Sequence, residues 1–222
     1  MKYVIAIDGP AAAGKSTVAK IVAKKLNITY IDTGAMYRAF TLYVVEKGIN
    51  PEDQGASEAC IPDVHIELKP KGEIFLNGRD VSHLIREPRV SSQVSYIASY
   101  KAIRLALVDL QRKMANHQSV VMDGRDIGTY VLPEANVKIF QIASVETRAV
   151  RRYEENLEKG IITSLESVEE ELRKRDYIDS HREFAPLKPA PDSVLIDTSF
   201  MKVDDVVQRI LEIVEKKTHQ EG

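Results

Sequence analysis

The stretch Gly9-Pro10-Ala11-Ala12-Ala13-Gly14-Lys15-Ser16 follows the apolar run Tyr3-Val4-Ile5-Ala6-Ile7 and precedes Val18, Ile21, Val22 and Leu26 at helical spacing. Strand, glycine-bounded loop and helix in that order read as a phosphate-binding loop. Glycines at both ends let backbone N–H groups turn inward around phosphate oxygens. Lys15 supplies a point charge, and the Ser16 hydroxyl is placed to ligate Mg²⁺. A nucleoside triphosphate is the ligand this pattern expects, on a P-loop NTPase-type α/β fold with a parallel sheet flanked by helices.

Further strand-like runs at Thr29–Asp32, 119–123, Val137–Ile142 and Val194–Asp197 alternate with longer periodic segments, the rhythm of parallel strands joined by helical crossovers. The segment 63–86 breaks it. Val64, Ile66 and Leu68 alternate with His65, Glu67 and Lys69; then come Lys71-Gly72, 73–76 and Asn77-Gly78, which together predict a small antiparallel β insert spanning about 61–89. The charged region 146–182 holds two helical patterns around Lys159-Gly160 and predicts a helical hairpin projecting from the core as a lid. Pro186, Pro189 and Pro191 then end the helix, and 203–217 closes the chain as an amphipathic helix. The expectation is one domain over 1–222.

The 222 residues carry 31 basic and 33 acidic side chains, a net charge of −2, so anion binding must come from local placement and bulk charge does not point to nucleic acid. The tyrosines and phenylalanines form no basic-aromatic ladder. Cys60 stands alone, the N-terminal apolar run is soon interrupted by Asp8, and no run approaches the roughly 20 residues needed to cross a bilayer. A cytoplasmic monomer with no membrane partner is expected. The five histidines show no metal-ligand spacing, so Mg²⁺ arrives with the nucleotide.

Asp32-Thr33-Gly34-Ala35-Met36-Tyr37-Arg38 follows the second strand, with Thr33 as the expected helix cap and Arg38 one turn in, an arrangement suited to a second phosphate. Asp123-Gly124-Arg125-Asp126 ends a strand at the carboxyl edge, where ligands of parallel sheets collect. Asp123 is the candidate to hold Mg²⁺ through water, and Arg125 and Asp126 to reach the acceptor. In the hairpin Arg148, Arg151 and Arg152 share one face, and Arg175, Asp179 and Arg182 another; facing arginines there suit a transferring phosphoryl. The i,i+4 pairs Glu171/Arg175, Glu169/Arg173 and Glu170/Lys174 equally suit a solvated helix. A phosphate loop alone leaves open a kinase for any small acceptor, an ATPase or a nucleotide switch.

IDGPAAAGKST at 7–17, DTGAMYR at 32–38, SSQVS at 91–95, DGRDIGT at 123–129, KRDYIDSHR at 174–182 and APL at 185–187 together make the chain similar to the bacterial cytidylate kinases along nearly its whole length. That resemblance implies transfer of the γ-phosphoryl of ATP to CMP or dCMP, with residues 9–17 (Gly9, Pro10, Ala11, Ala12, Ala13, Gly14, Lys15, Ser16 and Thr17) around ATP. It implies Thr33, Ser92, Arg104 and Asp126 around the cytosine, Arg38, Arg125 and Arg182 on the acceptor phosphate, and Arg175 with Asp179 at the ribose. Lys15, Arg125, Arg175 and Arg182 are the implied catalytic residues. Ile178 and Ser180 stand where some relatives carry arginine, so the lid is less basic here.

Overall fold

The structure, a computed structural model, describes residues 3–69, 72–116 and 118–219; Lys71 of the expected Lys71-Gly72 turn lies outside them. β1 (Val4–Asp8) leads through the loop into α1 (Lys15–Leu26), then β2 (Thr29–Asp32) into α2 (Thr33–Glu46) and the short α3 (Gln54–Glu58). The insert follows as β3 (Ile66–Leu68), β4 (Ile74–Leu76) and β5 (Arg79–Asp80), then α4 (Pro88–Ser91), α5 (Val94–Ser99) and α6 (Lys101–Ala115). β6 (Val120–Gly124) runs into a π-helical turn at Ile127–Val131, and β7 (Val137–Ile142) into the hairpin α7 (Val145–Glu158) and α8 (Leu165–His181). β8 (Val194–Asp197) and α9 (Val203–His219) complete the chain.

Among the described residues the main sheet has five strands in the order β2-β6-β1-β7-β8, all parallel. Helices on both faces explain its composition. Ile5, Ile7, Val121 and Ile139 point into a core shared with α1 and α9, while Ala6, Val120 and Met122 face α6 and the π turn. Chain connections diverge around β1, so a crevice opens at the carboxyl edge. Register then decides which residues reach that edge together: Asp32 lies opposite Asp123, and Asp8 opposite Gly124.

The insert forms the predicted antiparallel meander, order β3-β4-β5, with a third strand of only two residues. It is not a separate body, since Ile66, Ile74 and Leu76 pack with Phe40 and Leu42 of α2 and with Ile97 and Ile103 in one cluster. The hairpin touches the rest of the molecule through a small apolar cluster of its own. Ala149, Val168 and Leu172 pack against Ala11, so the small side chains of the phosphate loop form the floor on which the helices are seated. Gly160, at φ +69°, makes the left-handed turn between them.

Candidate active site

The loop is held open by close approaches that its composition permits. Gly9 has φ +150°, and a Cβ there would sit 2.0 Å from the Gln141 carbonyl oxygen, so β1 passes β7 only as glycine. Ala12 and Gly14 are also left-handed, at φ 57° and 87°, and turn the loop around the N-terminus of α1. Lys15 is 5 % exposed, its Nζ donating to the Pro10 carbonyl at 2.6 Å. Burial, then the neighbouring Arg125, push its ammonium down to about 7.

Ser16 Oγ donates to Asp123 Oδ2 at 2.7 Å, and the Tyr30 hydroxyl to Oδ1 at 2.7 Å. Burial and the facing Asp32 hold the Asp123 carboxyl above its usual range. A hydroxyl and a carboxylate touching at the loop are hard oxygen donors of the kind Mg²⁺ accepts beside its waters, so the residues present fit that ion.

A cavity of about 770 Å³ runs from this loop along the crevice. Twelve basic and five acidic side chains line it among the described residues, against a chain charge of −2, so positive potential is concentrated where a polyanion would sit. On the far wall Asp126 is 3 % exposed, with Oδ2 accepting from Arg104 Nη2 and Oδ1 3.3 Å from Arg182 Nη2. Arg104 and Arg182 also donate to the Ala98 carbonyl, tying α5, α6 and α8 to this carboxylate. Arg125 Nε donates to Asp179 Oδ2 at 2.8 Å. Arg175 has only Glu171 at 3.8 Å, and burial beside Arg125 pushes it down to about 10. Arg38 reaches Asp32 at 3.3 Å.

Four expectations change. Thr33 does not cap α2: Asp32 accepts from the Ala35 amide at 2.8 Å, and Thr33 Oγ1 donates instead to the Asp123 carbonyl, because Gly124 leaves room for it across the strands. Ser92 is exposed, its hydroxyl turned back to the Pro88 carbonyl at 2.8 Å, and it does not line the cavity. Ser95, 3 % exposed, lines it with Val94 and Ala98; those three share one face of α5, and that periodicity is the signal that picks out Ser95. Arg148 does not line the cavity. It donates to the Ala143 and Ala11 carbonyls at 3.0 and 3.1 Å and pairs with Asp176 at 2.7 Å, clamping both hairpin helices to the loop. Arg151, which donates to the Thr198 carbonyl at 2.7 Å, and Arg152, paired with Glu155 at 3.3 Å, both line the cavity. Of the expected helix pairs, Glu169 and Arg173 meet at 2.6 Å, whereas Lys174 lies over the Tyr96 ring.

Arg148→Ala strands Asp176 and two buried carbonyls, and should cost about 3 kcal/mol in chemical denaturation. Arg173→Ala, which removes an exposed pair, should cost under about 1 kcal/mol.

A family model described as cytidylate kinase matches residues 5–216. A cytidylate kinase of Bacillus licheniformis is 52 % identical, covering 99 % of each chain, and one of Leuconostoc mesenteroides is 50 % identical, covering 96 % of each. Among solved structures, a gluconokinase from Sinorhizobium meliloti superposes at a TM-score of 0.52 with 12 % identity, covering 99 % of this chain and 98 % of its own. An uncharacterised protein from Eubacterium ventriosum reaches 0.55 at 15 % identity, covering 96 % of this chain and 99 % of its own. Those two share the fold. With about half its residues identical to the curated relatives along nearly its full length, the chain belongs to the cytidylate kinase family.

Proposed function

We propose that the crevice binds ATP at the loop and the acceptor nucleotide on the Asp126 side, within a single cavity. The reaction is the γ-phosphoryl transfer from ATP to CMP or dCMP, giving ADP and CDP or dCDP. The observation that carries the two-site reading is one cavity whose lining includes both the loop residues Lys15 and Ser16 and the cluster of Asp126, Arg104 and Arg182.

Backbone N–H groups within 9–17, of which Pro10 has none, and Lys15 hold the ATP phosphates, and Ser16 with Asp123 would hold Mg²⁺, which supplies charge neutralisation when bound. Arg38 and Arg125 receive the acceptor phosphate; the loose 3.3 Å pair of Arg38 with Asp32 leaves its guanidinium available. Arg175 and Asp179 lie between the two ends, toward the ribose and the transferring group. The ion pair with Asp126 favours a base-side role for Arg182 as well as a catalytic one. Cytosine offers an amino donor to Asp126 where uracil offers an oxygen, and leaving buried polar groups unpaired is the basis of discrimination. Thr33 stands beside Asp123, and Ser95 replaces Ser92 in this set. Alignment and positive charge supply the catalysis, with no general base required.

The hairpin acts as the lid over 146–182 and residues 61–89 as the acceptor-side insert. Lys159-Gly160 and the chain near Ala143 and Ala185 are its bending points, Ala185 being left-handed at φ 49°. Among the described residues no helix is long and apolar enough to cross a membrane. The free Cys60 and the near-neutral charge support reading the protein as a cytoplasmic monomer.

The test is ADP release from Mg-ATP with CMP, dCMP, UMP, AMP or no acceptor. CDP and dCDP should dominate, and Lys15→Ala should lower turnover by orders of magnitude with the fold intact. ADP without a phosphorylated acceptor would point to an ATPase instead. A pH effect follows from Lys15. Burial holds its pKa down, to about 7 from an ordinary 10.5, so the neutral form gains as pH rises above that value, and a bound triphosphate favours the charged form. Calorimetry in buffers of differing ionisation enthalpy should show net proton uptake on triphosphate binding that is larger at pH 8 than at pH 6 and smaller in Lys15→Ala. Finally, Ser95→Ala should raise KM for CMP several-fold, whereas Ser92→Ala should leave it unchanged.

A further inference from the structure

Asp8, the last residue of β1, is a buried carboxylate that the reaction itself does not use, 4 % exposed and absent from the cavity lining. Its two oxygens are fully committed. Oδ1 accepts from the Ile127 amide at 2.8 Å, and Oδ2 from the Gly128 amide at 2.7 Å. These N–H groups belong to the segment directly after Arg125 and Asp126. Ordinarily the residue before such a turn satisfies them with its own side chain, as Asp32 does for Ala35 and Ser144 for Thr147 in this chain. Asp126 stands in that position, with its carbonyl accepting from Tyr130 and Val131, yet its carboxylate makes no such bond and faces Arg104 and Arg182.

We propose that Asp8 is a positioning residue for acceptor selection: by clasping the backbone at Ile127 and Gly128 from the neighbouring strand, it frees the Asp126 carboxylate to read the base. The parallel register puts Asp8 beside Gly124, so the clasp also fixes the acceptor segment to the strand that leads into the phosphate loop. At Gly128 the close neighbour is Lys138, whose Cγ and Cδ would lie 3.2 Å from a Cβ there, so the clasp by Asp8 rests on its two hydrogen bonds and not on the missing side chain. In Asp8→Asn one oxygen still accepts, but the amide NH₂ meets a backbone N–H. That N–H then competes for Asp126, the carboxylate nearest in sequence, and pulls it from its arginines.

The proposal rests on reading Asp126 as the base contact, and the test separates the two. Steady-state kinetics with CMP and UMP are compared for wild type, Asp8→Asn, Asp126→Asn and the double variant, with KM for ATP and thermal stability measured alongside. Asp8→Asn should lower the CMP-to-UMP ratio of kcat/KM by about tenfold, mainly through KM for CMP, with KM for ATP within about twofold of wild type. In the Asp126→Asn background it should lower the ratio no further. An unchanged ratio in Asp8→Asn, whatever happens to stability or to kcat, overturns the positioning role and leaves Asp8 a structural or loop residue. An unchanged ratio in Asp126→Asn overturns the base reading itself. If Asp8→Asn does not fold, hydrogen exchange on the wild-type protein decides: the Ile127 and Gly128 amides should exchange slowly without nucleotide, and fast exchange at both overturns the clasp.

Discussion

The parallel pairing of β1 between β6 and β7, with β2 on the far side of β6, is the constraint on which the rest of the site depends. Because the strands are in step, the ends of β1, β2 and β6 bring Asp8, Asp32 and Asp123 to one edge, each before a turn that carries a functional segment. A carboxylate at each of these places organises backbone or hydroxyl donors: Asp8 holds the acceptor segment, Asp32 caps α2, and Asp123 gathers Ser16 and Tyr30. Buried carboxylates of this kind are unfavourable unless every oxygen finds a donor, which is why the neighbouring turns have so little freedom. A one-residue slip of register would exchange the faces of β6 and undo all three.

The cleft stores more positive charge than its own acids balance. Arg104, Arg125, Arg148 and Arg182 are occupied by Asp126, Asp179, Asp176 and backbone carbonyls, whereas Lys15, Arg38 and Arg175 have weak partners or none that is charged. Burial, and then the like charge of Arg125, depress the pKa of Lys15 and Arg175 to about 7 and about 10, more than the nearby carboxylates offset. An incoming polyanion relieves that strain. Part of the free energy of the interaction is therefore spent in advance by the fold, which is the usual arrangement for electrostatic preorganisation.

Arg148 links this electrostatic arrangement to the hairpin. Its guanidinium bridges the loop carbonyl of Ala11, the strand end at Ala143 and Asp176 on α8, so loop geometry and helix placement are coupled through one side chain. The apolar contacts of Ala149, Val168 and Leu172 with Ala11 are few, and this small cluster is separate from the three larger ones. A body seated on so little apolar surface owes its position largely to polar contacts, and local opening is easier there than in a packed core.

The sequence by itself determined the strand and helix order, the loop, the insert and the hairpin, because each rests on local periodicity, glycine-permitted turns or breaker residues that act within a few positions. The motifs at 9–17, 32–38 and 123–129 likewise announced Lys15, Ser16, Arg38, Asp123, Arg125 and Asp126, and the structure brings all six to one cavity. Tertiary structure alone decided which neighbour of a motif faces the cavity. Ser95 and Ser92 are three residues apart in one serine-rich stretch, and only the packing of α5 turns the first inward. Arg148 shares a helix face with two other arginines, and only the seating of the hairpin on Ala11 makes it a clamp. Asp8 reads as a strand end until β6 is laid beside it and its donors, Ile127 and Gly128, arrive from 119 and 120 residues away. The physical reason is the same in each case: a side chain's partner is set by which surfaces the long-range pairing brings together, and that information is not local to any window of the chain.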